Sequence, residues 1–222
     1  MSIILKDIKK SFADNVVINN LSLKLVFNEI VCFLGPSGCG KTTLLNIIAG
    51  IIKQDSGTIK GVQGKSISYV FQENRLIPHL NIYDNVRIVL KNDDNNYILK
   101  NLELVMLKDA NQRFAYELSG GMKRRASLAR ALAYDGDIFL LDEPFKEIDI
   151  TTKNSIIDAM KEKLKTKAVL FVTHDIDEAI SFSDKIYIIS GPPFSVKEIV
   201  DTKSYIEKES IKKHIEDKIK NL

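Results

Sequence analysis

A chain of 222 residues, 45% apolar and 27% charged, can bury one domain or one domain with a subdomain, which excludes a disordered or fibrous protein. Lys and Arg number 32 against 29 Asp and Glu, and a net charge of +3 is too mild for the electrostatic footprint of a nucleic-acid binder.

At the start of the chain, Lys6 and Asp7 interrupt the place where a signal peptide needs an unbroken apolar stretch. Later apolar runs are too short for a membrane span, so a cytoplasmic protein is expected. Residues 2–34 read as short strands. Ile3, Leu5 and Ile8, then Leu21, Leu23, Leu25 and Phe27, alternate as a half-exposed antiparallel portion would. Ile30 to Leu34 has no polar face, which predicts a strand buried on both sides in a parallel sheet.

That strand runs into Gly35-Pro36-Ser37-Gly38-Cys39-Gly40-Lys41-Thr42, and a helical pattern follows from near Lys41 through Leu44, Leu45, Ile47 and Ile48. Strand, glycine-rich turn and helix in this order make a P-loop. Glycines let backbone amides converge on phosphate oxygens, and the helix N-terminus adds the positive end of its dipole. Lys41 would neutralise the β- and γ-phosphates, the Thr42 hydroxyl would ligate Mg²⁺, and Thr43 is placed with them as a nucleotide contact. Cys32 and Cys39 are the only cysteines and offer neither a disulfide framework nor a four-ligand metal site. Beside a helix N-terminus and Lys41, Cys39 is expected to have a reactive thiol that ATP protects.

From 73 to 134 the spacing becomes helical, with Ile82, Val86, Val89 and Leu90 in one segment and Ile98, Leu99, Leu102, Val105 and Met106 in another. This predicts an inserted helical subdomain in which Asn92–Asn96 is a polar turn. Ser119, Gly120 and Gly121 open a further helix. They form a second anion-binding terminus or, for Ser119 alone, a helix cap. Buried strands are predicted at Ile138 to Leu141, Ala168 to Val172 and Lys185 to Ile189. Asp142 ends the first of them as a Walker B carboxylate holding the metal's water shell. Glu143 is either the general base for an attacking water or a solvated loop carboxylate. Ile211, Ile215, Ile219 and Leu222 mark an amphipathic terminal helix expected to dock on its own domain.

Leu118-Ser119-Gly120-Gly121-Met122, with the P-loop and Leu140-Leu141-Asp142-Glu143-Pro144, resembles the nucleotide-binding subunit of an ATP-binding cassette (ABC) transporter. The resemblance implies an α/β fold, a P-loop NTPase of the ABC-ATPase kind. Its mixed β-sheet core and antiparallel portion would take 1–72 and 135–202, the helical subdomain 73–134 and the terminal helix 203–222. It further implies that Gln72 contacts metal and water, that Phe12 stacks on adenine from a loop, that Asp149 belongs to the D-loop and that His174 senses the γ-phosphate. His79 and His214 are read as surface or satisfied core residues.

In the family, Ser119, Gly120 and Gly121 of one copy close over the nucleotide on another, which implies a head-to-tail homodimer. ATP and Mg²⁺ are the implied cofactors. Integral membrane permease subunits are the implied partners, docked at Arg75 to Leu80 on the cytoplasmic face of the membrane, with a solute-binding protein acting indirectly and no nucleic acid. The motifs most resemble importers of nitrate, sulfonates, taurine or thiamine precursors. A soluble cassette ATPase and a non-hydrolysing switch are the alternatives, and Glu143 argues against the switch.

Three stretches depart from the family pattern. Met122 replaces a glutamine. Lys146-Glu147-Ile148 precedes Asp149 where small residues and a leucine are usual, and Lys146 and Glu147 are expected to pair across the dimer axis. Lys123-Arg124-Arg125 lacks a central glutamine and reads as a solvated helix face, with Arg124 able to reach the signature loop.

Overall fold

The Ile30–Leu34 run is strand β3, and its side chains divide between two cores: Ile30, Cys32 and Leu34 on one face, Val31 and Phe33 on the other. The same division recurs in β6 (Ile138–Asp142) and β7 (Ala168–Thr173), whose apolar runs lack a polar face because both faces are covered. In this computed structural model, which describes residues 2–92, 94–205 and 207–220, these strands lie in a six-stranded sheet. Its order is β5 (Ile67–Val70), β6, β7, β3, β8 (Lys185–Ser190), β9 (Ser195–Asp201). All neighbours are parallel except β8 and β9.

A second sheet packs on the face bearing Phe33. The expected short N-terminal strands are two long ones, β1 (Ser2–Phe12) and β2 (Asn15–Val26), paired antiparallel, with β4 (Ser56–Lys60) on the other side of β1. Register shifts after Leu5, Ile8 and Lys10 let the hairpin twist while Ile3, Leu5, Ile8, Leu21 and Leu25 stay in the core. Helix α1 (Lys41–Ile48) fills the space between the two sheets with Leu44, Leu45, Ile47 and Ile48.

On the other face lie α2 (Ile82–Arg87), α3 (Asn95–Leu104), α4 (Gly120–Tyr134), α5 (Ile150–Leu164) and α6 (Ile176–Phe182). The first helical segment is shorter than its apolar spacing implied, since Val89 and Leu90 lie beyond α2. The polar turn also ends early. Asp94 caps α3 by accepting from the Tyr97 amide at 3.0 Å, and Asn95 and Asn96 are helical. Helix α7 (Lys208–Lys220) docks on its own chain as expected, burying Ile211 and Ile215 and pairing Lys212 with Asp177 at 2.9 Å; Leu222 lies outside the described residues.

Parallel strands present their carboxyl ends on one edge of the sheet. The ends of β5, β6, β7 and β3 therefore stand side by side, and the residues that follow them, Gln72, Glu143, His174 and the P-loop, converge there.

Candidate active site

The turn after β3 is shaped by close approach. A Cβ on Gly35 would lie 2.5 Å from the Ile189 carbonyl oxygen of β8, so the chain can leave the sheet there only as glycine. Gly38 and Gly40 have φ of +81° and +100°, which turns the loop back into α1. No side chain caps α1, so its first amides face the cleft. Lys41 is buried and donates from Nζ to the Gly35 and Pro36 carbonyls at 2.8 and 2.7 Å.

Phe12, Ser37, Gly38, Gly40, Lys41, Thr42, Thr43, Gln72, Asp142 and Glu143 line one cleft of about 240 Å³, with Val17 beside them. Phe12 is not in a loop. It ends β1, paired with Asn15 across the hairpin turn. Gly35 and Pro36 stand behind the cleft as acceptors for Lys41. Cys39 does not fit the expected reactive thiol. Its side chain is 0% exposed and belongs to the core with Leu44 and Phe194, its Sγ accepting from Lys41 Nζ at 3.7 Å. In Cys32, which is also buried, burial pushes the thiol well above its ordinary value.

Two carboxylates face each other's surroundings. Asp142 is buried, its Oδ2 has no hydrogen-bond partner, and burial raises its pKa against the lowering effect of the Thr42 hydroxyl. Glu143 follows in left-handed backbone at φ +48°. Its Oε1 lies 3.1 Å from His174 Nδ1 and its Oε2 is 3.5 Å from Lys146 Nζ. Burial acts to raise the Glu143 carboxyl, yet the His174 hydrogen bond and the Lys146 charge outweigh it and hold the carboxyl below its ordinary value.

The chain on either side of His174 is anchored, because Thr173 Oγ1 donates to Glu178 at 2.8 Å and accepts from the Asp175 amide at 3.1 Å, and Lys153 pairs with Glu178 at 3.1 Å. Glu178 was legible only as part of the histidine's motif. Its Thr173 and Lys153 partners come from other elements.

Ser119, Gly120 and Gly121 are not in this cleft. They line a second one, of about 380 Å³, with Met122, Arg125, Glu147, Ile148 and Asp149. Ser119 caps α4 by accepting from the Met122 amide at 3.3 Å. A Cβ on Gly121 would lie 2.4 Å from the Glu147 carbonyl oxygen, so the α4 start and the Glu147 turn interlock. Within one chain, Lys146 pairs with Glu143 at 3.5 Å and Glu147 lies against the α4 start. Asp149 Oδ1 accepts from the Thr152 amide at 2.9 Å, capping α5.

Arg124 does not lie on a solvated face: it is 2% exposed, with its guanidinium among backbone carbonyls. The stretch from Arg75 to Leu80 also differs from an exposed apolar loop, since Leu76, Ile77 and Leu80 are half-buried. Among the described residues, the exposed large apolar side chains of the helical region are Ile88, Met106, Phe114, Tyr116 and Tyr134.

A family model described as ABC transporter matches residues 18–146. The chain belongs to the ABC transporter ATP-binding family. As a member of that family it is an ATPase. Relatives of this cassette include the aliphatic sulfonates import ATP-binding protein SsuB 2 of Pseudomonas syringae pv. tomato, 38% identical over 85% of this chain and 82% of that protein. Another is the sulfate/thiosulfate import ATP-binding protein CysA of Escherichia coli, 38% identical over 86% of this chain and 58% of that protein. Among solved structures, the dimeric bacterial ABC transporter cassette MJ0796 superposes with a TM-score of 0.82 at 27% identity, covering 91% of this chain and all of that one. The same cassette in a post-hydrolysis state with ADP and Pi superposes at 0.81 over 91% of this chain and all of that one, again at 27% identity.

Proposed function

We propose that the cleft beneath the P-loop binds Mg-ATP and hydrolyses its terminal phosphate, with Glu143 as the general base. The observation that carries this reading is Asp142 Oδ2, a buried carboxylate oxygen without a hydrogen-bond partner, beside Lys41 and Thr42. A buried anionic oxygen left unpaired is costly unless a cation or a proton donor reaches it. Among the described residues no cluster of three His, Cys, Asp or Glu side chains could hold a metal alone. A magnesium ion here would therefore take Thr42, Asp142 and Gln72, directly or through water, together with phosphate oxygens; that donor set fits it. When bound it supplies charge neutralisation for the phosphate oxygens.

The chain's own groups do the rest. Lys41 exchanges the Gly35 and Pro36 carbonyls for β- and γ-phosphate oxygens, and the backbone of Gly35 to Gly40 with the α1 N-terminus cradles the phosphates. Ser37 and Thr43 contact the nucleotide, and Phe12 stacks on its base. Glu143 takes a proton from the attacking water, and His174, bonded to the same carboxylate, orients it and senses the γ-phosphate. Ser119, Gly120 and Gly121 complete the site of a second copy in a head-to-tail dimer, in keeping with their separation from the cleft of their own chain.

The division of labour follows the chain. The core takes 1–72 and 135–202, the helical subdomain 73–134, and the terminal helix falls within 203–222. The subunit powers import through separate membrane permeases, seated at the cytoplasmic face, for a solute of the sulfonate or related small-anion class delivered by a solute-binding protein. Relatives named for sulfonate and sulfate import support the solute class. No helix of the described residues is long and apolar enough to cross a membrane.

ATP turnover of Glu143→Gln tests the chemistry. Turnover is expected to fall by roughly 10²–10⁴-fold with nucleotide binding retained. Wild-type turnover in that variant would place the base elsewhere.

A further inference from the structure

Arg124 stands in the second turn of α4, four residues beyond Gly120, and carries a charge at a position that is almost fully enclosed. Its Nε donates to the carbonyls of Glu143 at 3.0 Å and Pro144 at 3.2 Å. Nη1 donates to the carbonyls of Phe71 at 2.5 Å and Gln72 at 3.4 Å, and Nη2 to those of Asp142 and Glu143. Every one of these acceptors lies at or just beyond the carboxyl end of β5 or β6, where the chain leaves the sheet.

A planar guanidinium spreads five donors over a rigid fork and so reaches oxygens on two strand ends at once, whereas a lysine ammonium gathers three donors at one point and a glutamine amide has two. Two of its nitrogens meet the carbonyl of Glu143, the residue with left-handed φ. A non-glycine residue keeps that conformation only when its surroundings hold it.

We propose that Arg124 is a positioning residue for hydrolysis: it clamps the Glu143 peptide and the start of the Gln72 loop to the signature helix, so that the three move as one body. The proposal rests on Glu143 being the general base. A displacement of the α4 N-terminus then reaches Gln72 and Glu143 directly through a single side chain. The arrangement also accounts for the buried charge: it is met by carbonyl dipoles, with Asp142, Glu143, Glu147 and Glu178 nearby.

The test compares wild type, Arg124→Met and Arg124→Lys, each alone and combined with Gln72→Ala, measuring folding by circular dichroism, Mg-ATP affinity and steady-state turnover. Arg124→Met is expected to keep Mg-ATP affinity within about twofold while kcat drops by roughly tenfold or more, because the cradle is intact and the base is misplaced. Arg124→Lys, whose ammonium reaches one strand end only, is expected to fall between. In the Gln72→Ala background the loss is expected to shrink, since the clamp then has less to position.

Unchanged kcat, a proportional loss of affinity and turnover, or fully multiplicative costs would each overturn the proposal. If Arg124→Met does not fold, the same criteria apply to Arg124→Lys. Glu143→Gln is run alongside: its inactivity with normal Arg124 variants sinks only the clamp, whereas its full activity sinks the reading of the base.

Discussion

The Glu143 carboxylate sits between His174 at 3.1 Å and Lys146 at 3.5 Å, and both favour its ionised form. The sign of the pH effect follows. Burial opposes ionisation, the hydrogen bond and the charge exceed it, and the carboxyl titrates below the 4.5 of an ordinary glutamate. As a base it works only when ionised, so activity limited by this group is retained until pH falls through that lowered value. Replacing His174 with alanine removes the largest lowering influence, and the Glu143 titration is expected to move to higher pH, read from the carboxyl carbon shift of labelled protein. No upward movement would show that His174 does not hold the carboxylate. At this scale Lys41, Thr42 and Asp142 were legible because their chemistry is local to a motif. Arg124 and Lys146 were not. A charge reads as solvated unless the fold encloses it, and what encloses Arg124 lies about fifty residues upstream and twenty downstream.

Between β5 and α2 the chain depends on one amide. Asn85 is fully buried; its Nδ2 donates to the carbonyls of Ile77, Leu80 and Asn81 at 3.1, 3.1 and 3.0 Å, and its Oδ1 accepts from the Ile77 amide at 2.8 Å. Asn85→Ala would strand these groups and is expected to cost about 1–3 kcal/mol in denaturant unfolding, with faster amide exchange confined first to residues 77–81. Elements buried on both faces, β3, β6, β7 and β8, could be read as continuous apolar runs. Strands β4, β5 and β9 could not. Each is half-covered, as in the mixed pattern of Ser56–Lys60, and β4 and β5 gain their identity from partners distant in sequence, β9 from the hairpin with β8. The helix starting at Asn95 was hidden for the opposite reason: a polar run reads as a turn until its Asp94 cap is seen.

Across the whole molecule, Ser119 and the P-loop line separate clefts, and the proposed shared site needs a second copy. Glu143→Gln with Mg-ATP is therefore expected to elute at twice the monomer mass in size-exclusion chromatography with light scattering. The further change Ser119→Arg is expected to return it to monomer while nucleotide binding persists. A monomer in the first case would remove the shared site. Sequence alone determined the P-loop, the buried parallel strands, the signature and the family, because each is written in short-range spacing that one strand or helix can satisfy. Tertiary structure alone decided that Cys39 faces the core, that Arg124 is a buried clamp, that Leu76, Ile77 and Leu80 are half-covered and that Lys146 meets Glu143. Burial and partnership depend on surfaces contributed by distant parts of the chain, and these come together only when the sheet and helices pack.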